Sequence, residues 1–278
     1  MDTLYLGHTV TVLEDCEDVW NESVDGDVTA TADGTYKAVG SYSCKLAVAS
    51  GASAGDLLAT EARAAADISA CNYVALWVRS SVALDAGDIQ LLLDESASCA
   101  SPSETLNIPA TSANTWTRHA IALAGTSGDR NAIISIGLKM AVDKGAFDLY
   151  VDDIVAFIGT AYTVMGVRGL KDPDEVELNA AEPTKLIDGS YYAMAVPSFN
   201  RIISVDFGVV ASQTDRVFLM TAWNKASQRL IFDGEEATTV RGANQFGNEW
   251  LNGVDFAKAF TLTFREKVAR TTNPASWG

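Results

Sequence analysis

The chain has 278 residues, of which 48% are apolar and 20% are charged, and its formal net charge at pH 7 is −16. This length exceeds the usual size of one domain, and the composition is typical of folded rather than disordered proteins. No run of about 18 apolar residues occurs, so we expect no membrane-spanning helix. The first residues lack a basic segment followed by an apolar core, so we predict no secretory signal.

The charge is unevenly distributed along the chain. Residues 1–158 contain 22 acidic and 8 basic residues, which gives −14, whereas residues 159–278 contain 14 and 12, which gives −2. An acidic surface repels phosphate backbones, so we expect no nucleic-acid partner. The near-neutral second part is better suited to docking against another protein, because unpaired charge is unfavourable in an interface.

Short β-rich runs separated by turn residues recur through the first part of the chain. They lie at 9–13, 43–49, 57–62, 73–79, 89–94, 116–123, 133–140 and 147–157. This spacing predicts an all-β unit. The acidic segments TVLEDCEDVW and AFDLYVDDIVAF indicate that its first and last strands are neighbours, so we predict a β-sandwich over residues 1–158.

The second part of the chain predicts a different unit. Three glycines predict a linker over 159–170, followed by a domain over 171–278. Alternating strands near 203–209 and 260–265, a helix at 217–226 and a hairpin within 228–241 make this domain β-rich with one helix. The predicted fold class is therefore mainly β, with an N-terminal β-sandwich and a small C-terminal β-rich α+β domain. In the long loop 242–253, Phe246 and Trp250 are either docking anchors or core residues.

Cysteine and histidine usage restricts the chemistry. No two of the four cysteines form a CxxC pair, so a tetrahedral zinc site is not expected. Without an export signal we predict free, mostly buried thiols, with one or two disulfides as the alternative. The only histidines, His8 and His119, are predicted to be structural. No nucleotide-binding motif occurs, so no cofactor is required.

Two patterns could indicate catalysis. Residues 51–55 match the nucleophile-elbow pattern with Ser53 in the nucleophile position, but that motif needs a helix after the serine, and the surroundings predict strands. Adjacent carboxylates such as Asp152 and Asp153 point to opposite faces of a strand, so they cannot form the facing pair of a glycosidase. We therefore predict a protein that is not an enzyme, with a polysaccharide hydrolase as an alternative.

Carboxylates from separate strands could instead hold a metal ion. An early residue such as Glu14 could meet Asp152 or Asp153 across adjacent strands, and carboxylate and carbonyl oxygens are the ligands that Ca²⁺ prefers. A structural calcium site is one hypothesis, and solvated or capping carboxylates are the other.

Aromatic side chains are the candidates for contact with sugars. Trp20 and Tyr36 flank acidic loops and are the predicted glycan-binding residues, whereas Trp77 and Trp116 are predicted to pack in the core.

Residues 9–158 resemble the jelly-roll carbohydrate-binding modules that are often attached to glycosidases. The resemblance is carried, in order, by LEDCEDVW, GSYSCKLAV, DISACNYVALWVRSS and FDLYVDDIVAF. It implies a sandwich that can hold a glycan, with a structural calcium ion on Glu14 and on Asp152 or Asp153.

Residues 164–266 resemble domains of bacteriophage tail and virion proteins. The segments behind this are DGSYYAMAVPSFNRIISVDFGVV, AWNKASQRLIFDGEE and GVDFAKAFTLTFREK. The resemblance implies a non-enzymatic virion structural protein, in the tail or on the particle surface, that is assembled in the host bacterial cytoplasm. Its partners would be other virion proteins, further copies of itself and a host surface glycan. The alternative is a carbohydrate-binding module protein outside a virion.

Overall fold

A computed structural model of the chain describes most of its first part and shorter stretches of the remainder. The described residues are 2–125, 127–169, 177–178, 184–185, 191–192, 199–200, 202–207, 217–219, 221–222, 228–232, 235–241 and 260–266. The chain divides into two compact units, one formed by Thr9–Gly159 and the other by Met1–His8 with Thr160–Gly278.

The strands that build the first unit follow one another with two short 3-10 helical turns between them, at Ala97–Cys99 and Ser127–Arg130. The strands are β1 (Asp2–Glu14), β2 (Ser23–Val24), β3 (Val28–Asp33), β4 (Ser43–Val48), β5 (Leu57–Ala66), β6 (Tyr73–Ser80), β7 (Ile89–Asp94), β8 (Glu104–Asn107), β9 (Thr117–Ala122), β10 (Ile133–Met140) and β11 (Phe147–Gly169).

Two antiparallel sheets form the predicted sandwich. One has the order β3–β4–β11–β6–β9, and the other is five-stranded with the order β2–β5–β10–β7–β8. Alternate side chains of both sheets turn inward and form one core, which includes the fully buried Leu46, Leu76, Leu91, Ile136 and Leu149. Full burial stabilises the fold by about 1.5–3 kcal/mol for each such side chain. The mainly β fold class is confirmed, and β1 pairs with β11 as the acidic segments indicate.

The structure differs from the elements predicted from the sequence in three places. Strands β3 and β8 fall between the predicted runs. The alanine-rich end of β5 stays extended to Ala66, because it pairs with β10 from Ile133 onward. Residues 159–169, which lie in the predicted linker 159–170, belong to β11, whose end pairs with β16 (Ile202–Phe207).

The second unit is also built from antiparallel strands. After β11 these are β12 (Glu177–Leu178), β13 (Thr184–Lys185), β14 (Tyr191–Tyr192), β15 (Phe199–Asn200), β16, β17 (Gln228–Phe232), β18 (Glu235–Arg241) and β19 (Phe260–Glu266). Its largest sheet has the order β1–β17–β18–β19–β16–β11. The predicted hairpin is confirmed as β17–β18, and the described residues 217–219 and 221–222 are helical within the predicted helix. Phe246 and Trp250 lie outside the described residues, so their docking role stays a prediction.

The predicted thiols and histidines are placed in the interior. The structure confirms free, buried cysteines at Cys16, Cys44, Cys71 and Cys99. His119 lies in β9, where its Nε2 is 2.9 Å from Thr111 Oγ1, and burial lowers its pKa to about 4. His8 stacks on Phe218, with ring centroids 5.2 Å apart. In the part of the chain that the structure describes, no helix is both long and apolar enough to cross a membrane.

Gly137 provides a test of the packing on the five-stranded sheet. A Cβ at this position would lie 2.9 Å from Cys99 Sγ and 3.1 Å from Thr60 Cγ2, so Gly137→Ala forces a shift of the segment that covers the sheet. Overpacking of this kind costs about 1–3 kcal/mol, which we expect to measure by urea unfolding. Gly26→Ala is the matched control, because no atom lies within 4 Å of its Cβ. Equal stabilities of the two variants would contradict the packing described here.

Candidate functional site

The sheet β3–β4–β11–β6–β9 carries polar and aromatic side chains on the side that faces away from the core, here called the outer face. Side chains alternate along each strand, so inward Leu46 and Leu149 leave Lys45 and Tyr150 pointing outward. The register places Tyr150 directly opposite Lys45 of β4 on one side and Arg79 of β6 on the other. One cross-strand row therefore contains two cations around a tyrosine.

Arg79 lies between two aromatic rings at the centre of this row. Its guanidinium carbon is 3.9 Å from the centre of the Tyr36 ring and 5.2 Å from that of Tyr150. The two tyrosine rings meet edge to face, with centroids 5.4 Å apart. The electron-rich face of an aromatic ring attracts a cation placed over it. We call Tyr36, Arg79 and Tyr150 the tyrosine–arginine cluster.

Polar groups surround the tyrosine–arginine cluster. Lys45 forms an ion pair of 3.0 Å with Asp148 and lies over the Tyr150 ring at 5.4 Å. The Trp116 ring approaches Tyr150 edge to face at 6.4 Å. Asn114 accepts a hydrogen bond of 3.3 Å from Arg79 Nη2. Trp116 is half-buried next to this cluster rather than packed in the core.

In a second cross-strand row on the same face, the arginine is already paired with a carboxylate. Arg118 lies over the Trp77 ring at 5.7 Å and forms an ion pair of 2.9 Å with Asp153. Trp77 is half-buried and lies outside the core cluster, which corrects its prediction as a core residue. The strand pairing shifts between Asp152 and Val155, and Asp153 has a positive φ of 43°. This bulge breaks the strict alternation on which opposite orientations of the two aspartates were predicted.

The loop between β3 and β4 positions Tyr36, and carboxylates fix the loop. Asp33 Oδ1 accepts hydrogen bonds of 2.7 Å from the backbone N–H groups of Thr35 and Tyr36. The Ser43 hydroxyl donates to the carbonyl of Tyr36. Tyr36 itself remains 44% exposed, so its ring is held in place with one side open to solvent.

Two carboxylates from other segments hold the rest of this loop. Asp152 Oδ2 accepts hydrogen bonds of 2.8 and 2.9 Å from the N–H groups of Ala38 and Val39. Glu17 Oε1 accepts one of 2.8 Å from the N–H group of Ser41. These bonds tie the early acidic segment and the last strand to the loop that carries Tyr36. The two acidic segments singled out by the sequence therefore have a structural role.

The two predicted glycan-binding residues differ in their exposure to solvent. Trp20 is 0% exposed and belongs to the sandwich core, which corrects its prediction as a sugar contact: a side chain that solvent cannot reach cannot stack on a sugar. Tyr36 lies exposed on the outer face. Arg79, Tyr150 and Asp148 were not singled out by the sequence.

The three predicted calcium ligands are not brought together. Asp152 Oδ1 is buried without a hydrogen-bond partner, a position that a cation could satisfy. However, Asp153 is neutralised by Arg118, and Glu14 Oε1 accepts the N–H group of Cys16 at 2.9 Å. Among the residues that the structure describes, no group of three metal-ligating side chains is placed to hold an ion. The residues therefore do not fit the predicted calcium site.

Burial raises the pKa of two of these carboxyl groups. Desolvation raises the pKa of Asp152 from 3.8 to about 7. The hydrogen bonds from the N–H groups of Val39 and Ala38 lower this pKa, but their effect is smaller. Desolvation likewise raises the pKa of Glu14 from 4.5 to about 7. Both carboxyl groups are therefore partly protonated near neutral pH.

The serine motif lies in a turn. Ser53 is exposed between β4 and β5, and its N–H group donates a hydrogen bond of 2.7 Å to Asp56 Oδ2. Strand β5 begins at Leu57, so a strand rather than the helix of a nucleophile elbow follows the serine.

No protein-family model matches the chain, and no curated protein matches it. Solved structures that resemble it include carbohydrate-binding modules. One is the family 11 module from Clostridium thermocellum in complex with a β-1,3-1,4-mixed-linked tetrasaccharide, with 14% identity, TM-score 0.39, and coverage of 54% of this chain and 95% of that one. Another is the family 30 module of a cellulosomal cellulase of Clostridium thermocellum, with 11% identity, TM-score 0.35, and coverage of 54% and 98%.

A third similar structure contains the CBM22-1 and GH10 modules of endo-1,4-β-D-xylanase 10B from Clostridium thermocellum, complexed with xylohexaose. It has 16% identity and a TM-score of 0.36, over 53% of this chain and 28% of that one. The chain thus spans less than a third of the xylanase structure. The similarity to these structures is one of fold.

Proposed function

We propose that the sandwich unit binds a glycan on its outer face, at the tyrosine–arginine cluster. The observation that supports this is the grouping of Tyr36, Arg79 and Tyr150 with polar side chains on one face of the sheet. A sugar presents C–H groups from the faces of its ring and hydroxyl groups at its rim. Aromatic faces suit the first, and charged or amide side chains suit the second.

The cluster offers both kinds of contact within one cross-strand row. Tyr36 provides an exposed ring at the edge, and Trp116 a second, half-buried ring. Asp148 and Asn114 provide oxygen acceptors, and Lys45 provides a donor. Because the loop that carries Tyr36 is fixed by hydrogen bonds to carboxylates, binding would not require that loop to become ordered, and a preorganised site loses less entropy on binding.

Tyr36→Ala is expected to weaken glycan binding about tenfold, a loss of roughly 1.4 kcal/mol, because the exposed ring of the site is removed. Oligosaccharides that bind the protein are first identified on a glycan array, and their affinity is then measured by titration calorimetry. Tyr42→Ala is the matched control: Tyr42 lies in the same loop with similar exposure, and its ring packs beside Gly34 rather than on Arg79. Unchanged affinity in Tyr36→Ala, or equal losses in both variants, would contradict the proposed site.

A virion location remains a separate proposal that rests on the sequence alone. Its docking residues, Phe246 and Trp250, lie outside the described residues. The glycan-binding proposal does not depend on it, because every side chain that supports the site lies in the sandwich unit.

A further inference from the structure

We propose that Arg79 recognises an anionic sugar through its carboxylate group, so that the glycan bound at the outer face is an acidic one. This inference rests on the proposed function, since it names the class of glycan. Three observations support it: the carboxylate partners of the buried arginines, the N–H groups of Arg79 that make no hydrogen bond, and the planar geometry of a guanidinium group.

The partners of the buried arginines differ. The sandwich unit buries Arg79, Arg118 and Arg130, each less than 9% exposed. Arg118 pairs with Asp153 at 2.9 Å, and Arg130 pairs with Glu104 at 3.4 Å. Arg79, at 8% exposure, has no carboxylate partner among the described residues. A buried charge is costly unless it is paired, so an anion from outside the chain would complete this site.

Arg79 keeps one two-donor edge of its guanidinium open. Such a group has two of these edges, Nε with Nη2 and Nη1 with Nη2. One N–H of Nη2 donates to Asn114, while Nε and Nη1 make no hydrogen bond within the described part of the chain, so the edge that contains the second N–H of Nη2 is available. Nε and Nη1 of Arg79 are not among the buried side-chain atoms that lack a partner, so solvent still reaches them. The Tyr36 ring covers the guanidinium face at 3.9 Å. The N–H groups lie in the plane of the guanidinium, so a ligand would meet them beside the Tyr36 ring rather than under it.

A planar carboxylate matches these donors. A guanidinium edge presents parallel N–H groups that bind two carboxylate oxygens together, and these charge-assisted bonds are stronger than bonds to neutral hydroxyls. The neighbouring Lys45 adds positive charge but is already paired with Asp148 at 3.0 Å. Asp148 is an acidic group beside the cluster, and its charge is offset by this ion pair with Lys45. Acidic groups of the unit that lie farther than about 8 Å are screened at physiological salt.

The test begins with a glycan array that carries three groups of oligosaccharides. The neutral group contains cello- and xylo-oligosaccharides, the carboxylated group contains oligogalacturonates and sialyllactose, and the third group is sulfated. We expect binding to concentrate on the carboxylated group. The best carboxylated oligosaccharide and its methyl ester are then titrated against the native protein, Arg79→Lys and Arg79→Gln, with thermal unfolding to verify that each variant is folded. Arg79→Lys keeps the charge and loses the two-donor edge, so it serves as the conservative variant.

Methyl esterification is expected to weaken binding to the native protein about 10- to 100-fold, as is Arg79→Gln, with a smaller loss in Arg79→Lys. Because both changes remove the same contact, the ester and the free acid should bind Arg79→Gln equally. Equal binding of acid and ester to the native protein, or a preference for neutral or sulfated oligosaccharides, would overturn the carboxylate assignment while the glycan-binding function stands. Absence of binding to every glycan would overturn both.

Discussion

Trp20→Ala is expected to lower the free energy of unfolding by about 3–5 kcal/mol, the range for removal of a large aromatic side chain from a core. Trp20 is among the largest fully buried side chains of the molecule, and it packs in the sandwich core with Leu13 and Cys44. Alanine leaves a cavity in place of the indole ring, and a surrounding core relaxes into such a cavity only in part. The change is measured by urea unfolding followed through circular dichroism.

Trp20→Phe is the control for this variant. The indole Nε1 is buried without a hydrogen-bond partner, and an unpaired buried donor costs about 1–3 kcal/mol. Phenylalanine removes this donor together with part of the volume, so we expect its loss of stability to be much smaller than that of alanine. If Trp20→Ala were as stable as the native protein but bound glycan more weakly, Trp20 would be a surface contact after all, as its position beside an acidic loop first indicated.

The fold could be predicted from the sequence where a β-rich apolar run is bounded by turn residues. Strands such as β6 and β10 are near-continuous in β-branched and large apolar residues and are bounded by turn residues, so their positions are evident. Strand β3, VTATAD, consists of small and polar residues and is mostly exposed. It forms because β4 offers a paired edge, and such a tertiary cause leaves no local signal.

The candidate site could be predicted only in part. Tyr36 is predictable because it is aromatic and flanks an acidic loop, and one segment of the sequence shows both features. Tyr150 and Arg79 are 71 residues apart and become neighbours through the register of β11 against β6. Register depends on which strands pair, and a single sequence does not specify that at the level of individual residues. The bulge at Asp153 likewise depends on how β11 pairs with β6, so the sequence of β11 alone does not reveal it.

The buried carboxyl group of Asp152 connects stability to pH. Desolvation raises its pKa from 3.8 to about 7, so the folded state favours the protonated form. A group whose pKa is higher in the folded state contributes stability that is fully present below the unfolded pKa and is lost as the pH rises through the folded value. For Asp152 this window extends from about pH 4 to about pH 7.

Asp152→Asn should remove this dependence. Like the protonated acid, the amide has one oxygen that can accept the N–H groups of Ala38 and Val39 and a donor in place of Oδ1. At about pH 4 we expect the variant and the native protein to be similarly stable. At about pH 8 the variant should be more stable, by up to roughly 4 kcal/mol if the whole pKa shift is expressed.

Urea unfolding of both proteins across this pH range, with a chelator present, measures the difference. Glu14, whose pKa burial also raises to about 7, and His119, whose pKa burial lowers to about 4, titrate in both proteins and cancel in the comparison. Repeating the series with calcium tests the metal hypothesis. If calcium raised the melting temperature of the native protein but not of Asp152→Asn, and the variant were the less stable protein at about pH 8, then Asp152 would be an ionised metal ligand. A protonated carboxyl group gives the opposite order of stability, because the asparagine then reproduces the native state without its cost of ionisation.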